Sequence, residues 1–351
     1  MRKKLRSLLI GLWMMLILLA TFFLASNTYL SAQDNTDTTS VYNSFPFWSP
    51  DGDQIAFVSD YAGNMDIWVI EPSGKNPINL TSDNPEFDGD MNWSPNGTHI
   101  AFTSERMGKT NIWIMERNGA NPKNLTSDMV SIAQGYPRWS SDGSRIAFVS
   151  TEQDRFSIWI MNSDGTDKIN LTPDVEYSYL VPSWSPDNQH LVLLGGAGNN
   201  TRVWLASVDE RNLTALTPDD FKALNAQWSP TGDQIVTSNF PDGLWLINSD
   251  GTNFINITAG ENGLGPIWSP DGRQIAFQST RKSIDVDLWK INSDGSGETN
   301  LTENIFGDSI YPSWSPDGKH IAFTCYCSGN VDIWVMNADG TNPVNLTGER
   351  N

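Results

Sequence analysis

WSPDGKHIAF, residues 314–323, followed at 332–347 by DIWVMNADGTNPVNLT, is the last and cleanest of seven copies of one refrain. The copies open on Trp48, Trp93, Trp139, Trp184, Trp228, Trp268 and Trp314, so they follow one another at 45, 46, 45, 44, 40 and 46 residues. A second tryptophan stands about twenty residues into each copy, at Trp68, Trp113, Trp159, Trp204, Trp245, Trp289 and Trp334; with Trp13 these are all fifteen in the chain. By length alone, 351 residues fit two or three ordinary domains. A repeat overrides that reading, because each unit needs its neighbours to bury its faces.

The turns divide the last copy into four strands. Residues 311–315 form the first; Pro316, Asp317 and Gly318 then make a tight turn, proline presetting φ and glycine taking the left-handed position. In the second strand, 320–324, Ile321, Ala322 and Phe323 are continuous rather than alternating, which means burial on both faces. The third strand, 332–336, is similar, and Asp339 and Gly340 turn the chain into a fourth, 344–347. Four short antiparallel strands, apolar on both sides, stack radially as blades. The pattern predicts an all-β, seven-bladed β-propeller of four-stranded antiparallel blades, with a six-bladed ring plus an extra repeat as the alternative. The seven-bladed ring would close by packing its last blade on its first, without an exchanged strand.

The same parsing accounts for residues that resemble chemistry. The aspartates of the SPDG and NSDG turns are turn residues before they are calcium ligands. Asn188 stands where other copies have glycine, and asparagine tolerates the left-handed position best. The Asn-Leu-Thr triplets match a glycosylation acceptor but fall on the fourth strand of each copy.

Residues 1–32 read as an export signal or N-terminal anchor: a basic start, the apolar run Leu8 to Ala25, then a polar passage to Ala32. The run of 18 residues is long for a signal and short for a span, so cleavage after Ala32 is preferred over retention as an anchor. Residues 33–42 read as a linker and 43–348 as the propeller. The first 33 residues hold four basic side chains and no acid, so the remainder is more acidic than the chain's net charge of −19. Such a body repels phosphate backbones, and nucleic acid is excluded as a partner. The two cysteines, Cys325 and Cys327, provide no disulfide framework. On an extended segment they share a face, where a bridge would be strained, and two free thiols are expected.

The refrain W-S-P-D-G-x-x-I-A-F, then D-I-W-x-M-N-x-D-G and N-L-T, resembles the propeller repeats of the TolB family and its exported bacterial relatives, over residues 43 to 348. The resemblance implies a soluble envelope propeller. It leaves function open, since similar blades serve binding proteins, peptidases and lyases. TolB itself carries an α/β domain ahead of six blades, and this chain has seven repeat units.

Candidate chemistry is sparse. His99, His190 and His320 occupy one repeat position on different copies, too far apart to share a metal, unlike the histidine-dependent manganese site of oligogalacturonate lyase. No G-x-S-x-G elbow is present. No catalytic residue, metal or cofactor is therefore assigned. Binding is expected in the unequal passages between blades, which are acidic and aromatic and include Asp88, Asp90, Tyr136, Tyr179, Asp308 and Tyr311. The residue before each leading tryptophan is expected near the start of the innermost strand, at the channel mouth. That set is Phe47, Asn92, Arg138, Ser183, Gln227, Ile267 and Ser313, from which Gln227 and Arg138, the only charge, are taken as candidate contacts. The expected partner is a protein or peptide of the cell envelope, with a glycan processed by rim carboxylates as one alternative and a membrane-anchored sensor or scaffold as another. The membrane is met only through an uncleaved N-terminal segment.

Overall fold

The computed structural model describes residues 41–348 except 153–154, 174–175, 198–199, 240, 283 and 328. The signal or anchor of residues 1–32 lies outside the described residues, as does most of the linker. Twenty-eight strands form seven sheets of four, each antiparallel and in chain order. Blade 1 holds β1 (Asn43–Trp48), β2 (Ile55–Ser59), β3 (Asp66–Ile70) and β4 (Ile78–Asn79); blade 7 holds β25 (Ser309–Trp314), β26 (His320–Cys325), β27 (Asp332–Asn337) and β28 (Val344–Asn345). The first strands of blades 2 to 6 are β5 (Asp88–Trp93), β9 (Ala133–Trp139), β13 (Ser178–Trp184), β17 (Ala223–Trp228) and β21 (Leu264–Trp268). These seven strands ring the axis, and seven blades, not six plus a stray repeat, complete the circle.

The second strands carry the core. All five residues of β2 are buried, and Phe57, Phe102, Phe148, Phe277 and Phe323 recur fully buried at one position. The fourth strands are only two residues long in six blades, too short to be held by ladder bonds alone. The threonine of each Asn-Leu-Thr triplet, Thr258 of Asn-Ile-Thr in blade 5, or Thr217 in blade 4, makes up the difference. In every blade its hydroxyl accepts a third-strand amide at 2.8–3.0 Å, as Thr347 does from Ile333. These hydroxyls are buried, so the triplet is a structural tie.

Three sets of contacts join blade to blade. At five joints the indole N–H of the leading tryptophan donates to the previous blade's carbonyl one residue before its own tryptophan, as in Trp93 to Phe47 at 3.3 Å and Trp184 to Arg138 at 2.9 Å; the Trp139 and Trp228 indoles do not make this bond among the described residues. At the joints of blades 1 and 2, 2 and 3, and 6 and 7, the amide five residues ahead of the tryptophan donates to the previous blade's third-strand entrance: Asp88 to Met65 at 3.0 Å, Gln134 to Thr110 at 3.1 Å, Ser309 to Val286 at 2.7 Å. The turn proline packs on the next blade's turn glycine, Pro50 on Gly97 and Pro95 on Gly143 among others. The seam between blades 7 and 1 uses all three: Trp48 to Ser313 at 3.1 Å, Asn43 to Val331 at 2.9 Å, and Pro316 against Gly52. No strand is exchanged; a single parallel bridge, Tyr42 with Val331, laces the entering chain to the last blade.

The proline–glycine contact has one exception. Between blades 3 and 4 the proline is Ser141 and the glycine is Asn188, which sits at φ 62°. The Ser141 N–H and Oγ both donate to Asn188 Oδ1, at 2.7 and 2.8 Å, so a polar pair replaces the Pro–Gly contact. Restoring proline and glycine together by Ser141→Pro and Asn188→Gly is expected to be better tolerated than the single changes imply. The coupling energy should be on the order of 1 kcal/mol in a double-mutant cycle of urea unfolding. Additive single effects would show that the two positions do not act as a pair.

Two expectations are corrected. Cys325 and Cys327 form a disulfide rather than two free thiols. Cys325 is the last residue of β26, and beyond it the chain leaves the extended path, bringing the Cα atoms to 5.2 Å, inside the normal disulfide range. The residue before each leading tryptophan is not near the start of the innermost strand. It is the penultimate residue, because every first strand ends on its tryptophan, so Arg138 and Gln227 lie toward the SPDG-turn end of the channel.

Candidate functional site in the central channel

The first strands share an irregularity that decides what faces the axis. In β1, Ser44 pairs with Val58 and Phe47 with Ala56, leaving Phe45 and Pro46 opposite Phe57 alone. The same slip recurs in the first strands of blades 2, 3, 4, 6 and 7, while in blade 5 it falls earlier, between Ala223 and Asn225. This is a β-bulge, and bulges accept the proline found two residues ahead of the tryptophan in five blades: Pro46, Pro137, Pro182, Pro266 and Pro312. The residue before it takes left-handed φ: Phe45 at 56°, Asp90 at 47°, Tyr136 at 56°, Val181 at 53°, Gly265 at 54° and Tyr311 at 52°. Each non-glycine residue there costs on the order of 1–3 kcal/mol, and strain of this kind gathers at functional positions. Blade 5 differs: Asn225 accepts the Ser238 amide and hydroxyl, both at 3.2 Å, and the left-handed residue moves back to Lys222.

The residue two ahead of each tryptophan is buried, and its neighbours three and one ahead are half-exposed toward the axis, as the patterns of β1, β5 and β9 show, except that Ser313 in blade 7 is buried. Blades 7, 1, 2 and 3 thereby bring together Tyr311, Phe45, Asp90, Tyr136 and Arg138 on one side of the channel. The Phe45 and Tyr311 rings lie 4.2 Å apart. Arg138 donates from Nη1 to the Pro137 carbonyl at 2.9 Å and makes no salt bridge among the described residues.

The electrostatics follow from enclosure. Burial pushes the Asp90 carboxyl up, against the opposing pull of Arg138 and Thr103. Burial pulls Arg138 down, against the support of Asp90. Burial and then the Asp90 charge hold the Tyr136 phenol well above its usual range, and burial raises Tyr311 as well. The arrangement is one cation and one acid, not directly paired, between aromatic faces. It suits a ligand with a planar polar group and apolar neighbours.

Of the eight candidate positions, Asp90, Tyr136, Arg138 and Tyr311 converge here. Gln227 lines the far side of the channel, half-buried, its carbonyl accepting the Trp268 indole N–H at 3.4 Å. Asp88 and Tyr179 share the position five residues ahead of the tryptophan and are buried in blade joints: Asp88 against Arg106, Tyr179 against Trp204 with ring centroids 6.0 Å apart. Asp308, the one candidate outside a strand, accepts the Val286 amide at 2.7 Å; burial raises its pKa, as do Asp285 and Asp287. The others belong to first strands rather than to the passages between blades. Phe45 escaped the sequence reading, although it precedes a proline at the same repeat position as Tyr136 and Tyr311. The three histidines open the second strands of blades 2, 4 and 7, and among the described residues no group of three or more His, Cys, Asp or Glu is placed to hold a metal ion.

Fold and channel together define a seven-bladed propeller whose variable residues face its axis. The family model described as the TolB beta propeller domain matches residues 27–231, 128–308 and 243–351, and the chain belongs to that family. None of the curated proteins compared with it matches. Among solved structures, TolB from Acinetobacter baumannii is similar at 17% identity and TM-score 0.54, covering 87% of this chain and 78% of that one. An oligogalacturonate lyase from Vibrio parahaemolyticus is similar at 14% identity and TM-score 0.68, covering 86% and 94%. Puromycin hydrolase is similar at 13% identity and TM-score 0.70, covering 88% of this chain but only 54% of its own. At these identities the likeness is one of fold.

Proposed function

We propose that the protein is a noncatalytic, exported propeller that binds a protein or peptide of the cell envelope through its central channel. The observation that carries this reading is the convergence of Phe45, Asp90, Tyr136, Arg138 and Tyr311 from four blades onto one stretch of channel wall, all but Arg138 on backbone held in the left-handed conformation. Membership of the TolB propeller family and the basic, then apolar, N-terminus support an envelope location. A peptide segment offers what the wall lacks: carbonyl or carboxylate oxygens for Arg138 and side chains for the aromatic faces.

Arg138→Glu is expected to weaken capture of the partner from envelope extract by the immobilised full chain at least about tenfold, since reversing one member of a desolvated charge contact costs 2 kcal/mol or more. Gln227→Glu, across the channel, should have a smaller effect. Equal recovery by the wild type and both variants would place the binding site elsewhere.

A further inference from the structure

Exposed apolar side chains are not spread evenly over the propeller. Among the described residues ten large hydrophobic side chains are exposed, and Ile78, Ile255 and Val344 of these lie at one repeat position on the outermost strands. The other seven all lie at one end of the ring, in second-to-third strand loops or in passages between blades. They are Tyr61 in blade 1, Phe87 between blades 1 and 2, Met107 in blade 2, Val130 and Ile132 between blades 2 and 3, Ile284 in blade 6 and Phe306 between blades 6 and 7. The most prominent are Val130 at 99%, Ile284 at 92%, Phe306 at 88% and Met107 at 64% exposed.

Their order around the ring is informative. Because blade 7 joins blade 1, they follow a single arc from blade 6 to blade 3, and blades 4 and 5 contribute none among the described residues. At that end the passage between blades 4 and 5 carries exposed Asp219 and Asp220, and passages within the arc carry exposed acids as well, Asp83, Glu86, Asp128 and Glu303. The chain enters β1 at Val41, at the same end and in the middle of the arc, where Val41 and Asn43 bond to Val331 of the last blade. Fifteen residues, 26–40, separate Val41 from the apolar run ending at Ala25. Even fully extended they reach at most about 50 Å.

We propose that, in the chain that keeps residues 8–25 as an N-terminal anchor, this arc is a membrane-docking edge whose loop tips enter the interface of the lipid bilayer holding that segment. Single apolar tips separated by polar residues do not form a groove for a folded partner. They do suit a fluid, flat surface that each tip can enter by itself, and a short tether keeps that surface near. The side at blades 4 and 5, which carries no such apolar tip among the described residues, stays in water, so the ring is tilted and its channel mouth remains open on that side. The drive is apolar burial, since the body is acidic and gains nothing from anionic lipid. The proposal is independent of the channel reading.

The test uses the full chain in phosphatidylcholine vesicles with one added cysteine, Val130→Cys, Phe306→Cys or Asp219→Cys, carrying a nitroxide. The native cysteines are joined to each other and do not compete for label. At positions 130 and 306 the ratio of oxygen to aqueous-nickel accessibility is expected to exceed that at 219 by on the order of tenfold. It should fall when Met107→Ser and Ile284→Ser are added. Equal, water-like ratios at all three positions would overturn the proposal. Shielding of 130 and 306 from oxygen and nickel alike would also overturn it, in favour of a protein cover such as a second copy.

Discussion

Arg106→Ala is expected to lower the unfolding free energy at pH 7 by about 3–5 kcal/mol, the cost of removing the partner of a buried charge. The Arg106 guanidinium donates to Asp88 Oδ2 at 3.1 Å and to Ser104 Oγ at 3.0 Å, while lying 5.0 Å from the Trp113 ring centre. Asp88 is fully buried, and burial already raises its pKa against the hydrogen bond from Asn84 and the charge of Arg106. Without the arginine that pKa rises further. A carboxyl whose folded pKa exceeds its unfolded one favours folding while protonated, and that stability is lost as pH rises above the unfolded value, about 4. The deficit of Arg106→Ala should therefore be largest at pH 7 and shrink toward pH 4, leaving the lost stem packing and cation–π contact. Adding Asp88→Asn should recover much of it at pH 7, because blade 1 already holds an amide, Asn43, at this position. Urea unfolding at both pH values decides the matter: a deficit independent of pH and unrelieved by Asp88→Asn would mean that packing, not charge, is what Arg106 supplies.

Phe57→Ala should cost about 3–5 kcal/mol, the range for emptying a fully buried aromatic site. Phe57 belongs to a buried cluster that runs from Ala322, Ile333 and Val335 of blade 7 through blade 1 to Ile100, Phe102 and Met115 of blade 2, so the cavity would open beside the seam. Val130→Ala, on an exposed loop, should stay within about 0.5 kcal/mol. Chemical denaturation of the two variants measures the contrast. A small loss for Phe57→Ala would show that the blades collapse onto the cavity. The position is not aromatic everywhere: Thr237 occupies it in blade 5 and donates to the Asn225 carbonyl at 2.6 Å, in the one blade whose bulge is displaced.

The fold was legible because its determinants are local and repeated. Tryptophan spacing, turn chemistry and continuous apolar second strands each specify one blade, and seven in-phase copies leave little freedom. Asn188 was read correctly as a left-handed residue, but its partner Ser141 was not, because the contact that joins them spans 47 residues. The channel was legible only in part. The residue ahead of each tryptophan was found as a variable column, whereas the column two residues earlier was not, since without the bulge nothing sets those residues apart as left-handed channel positions. Asp88 and Tyr179 look like surface acids and aromatics in sequence. Only the packing of one blade on the next shows them to be interior.

The seam has a further consequence. Its tryptophan, amide and proline contacts each recur at other joints, and only the Tyr42–Val331 bridge is particular to it among the described residues, so closure rests on the same kinds of contact that join blades elsewhere. A repeat could be gained or lost as a unit if each joint opened or tightened by a small angle, with no change to any closing device. Blade number is then a property of joint geometry summed around the axis, and a six-bladed and a seven-bladed propeller can be built from the same sentence of sequence.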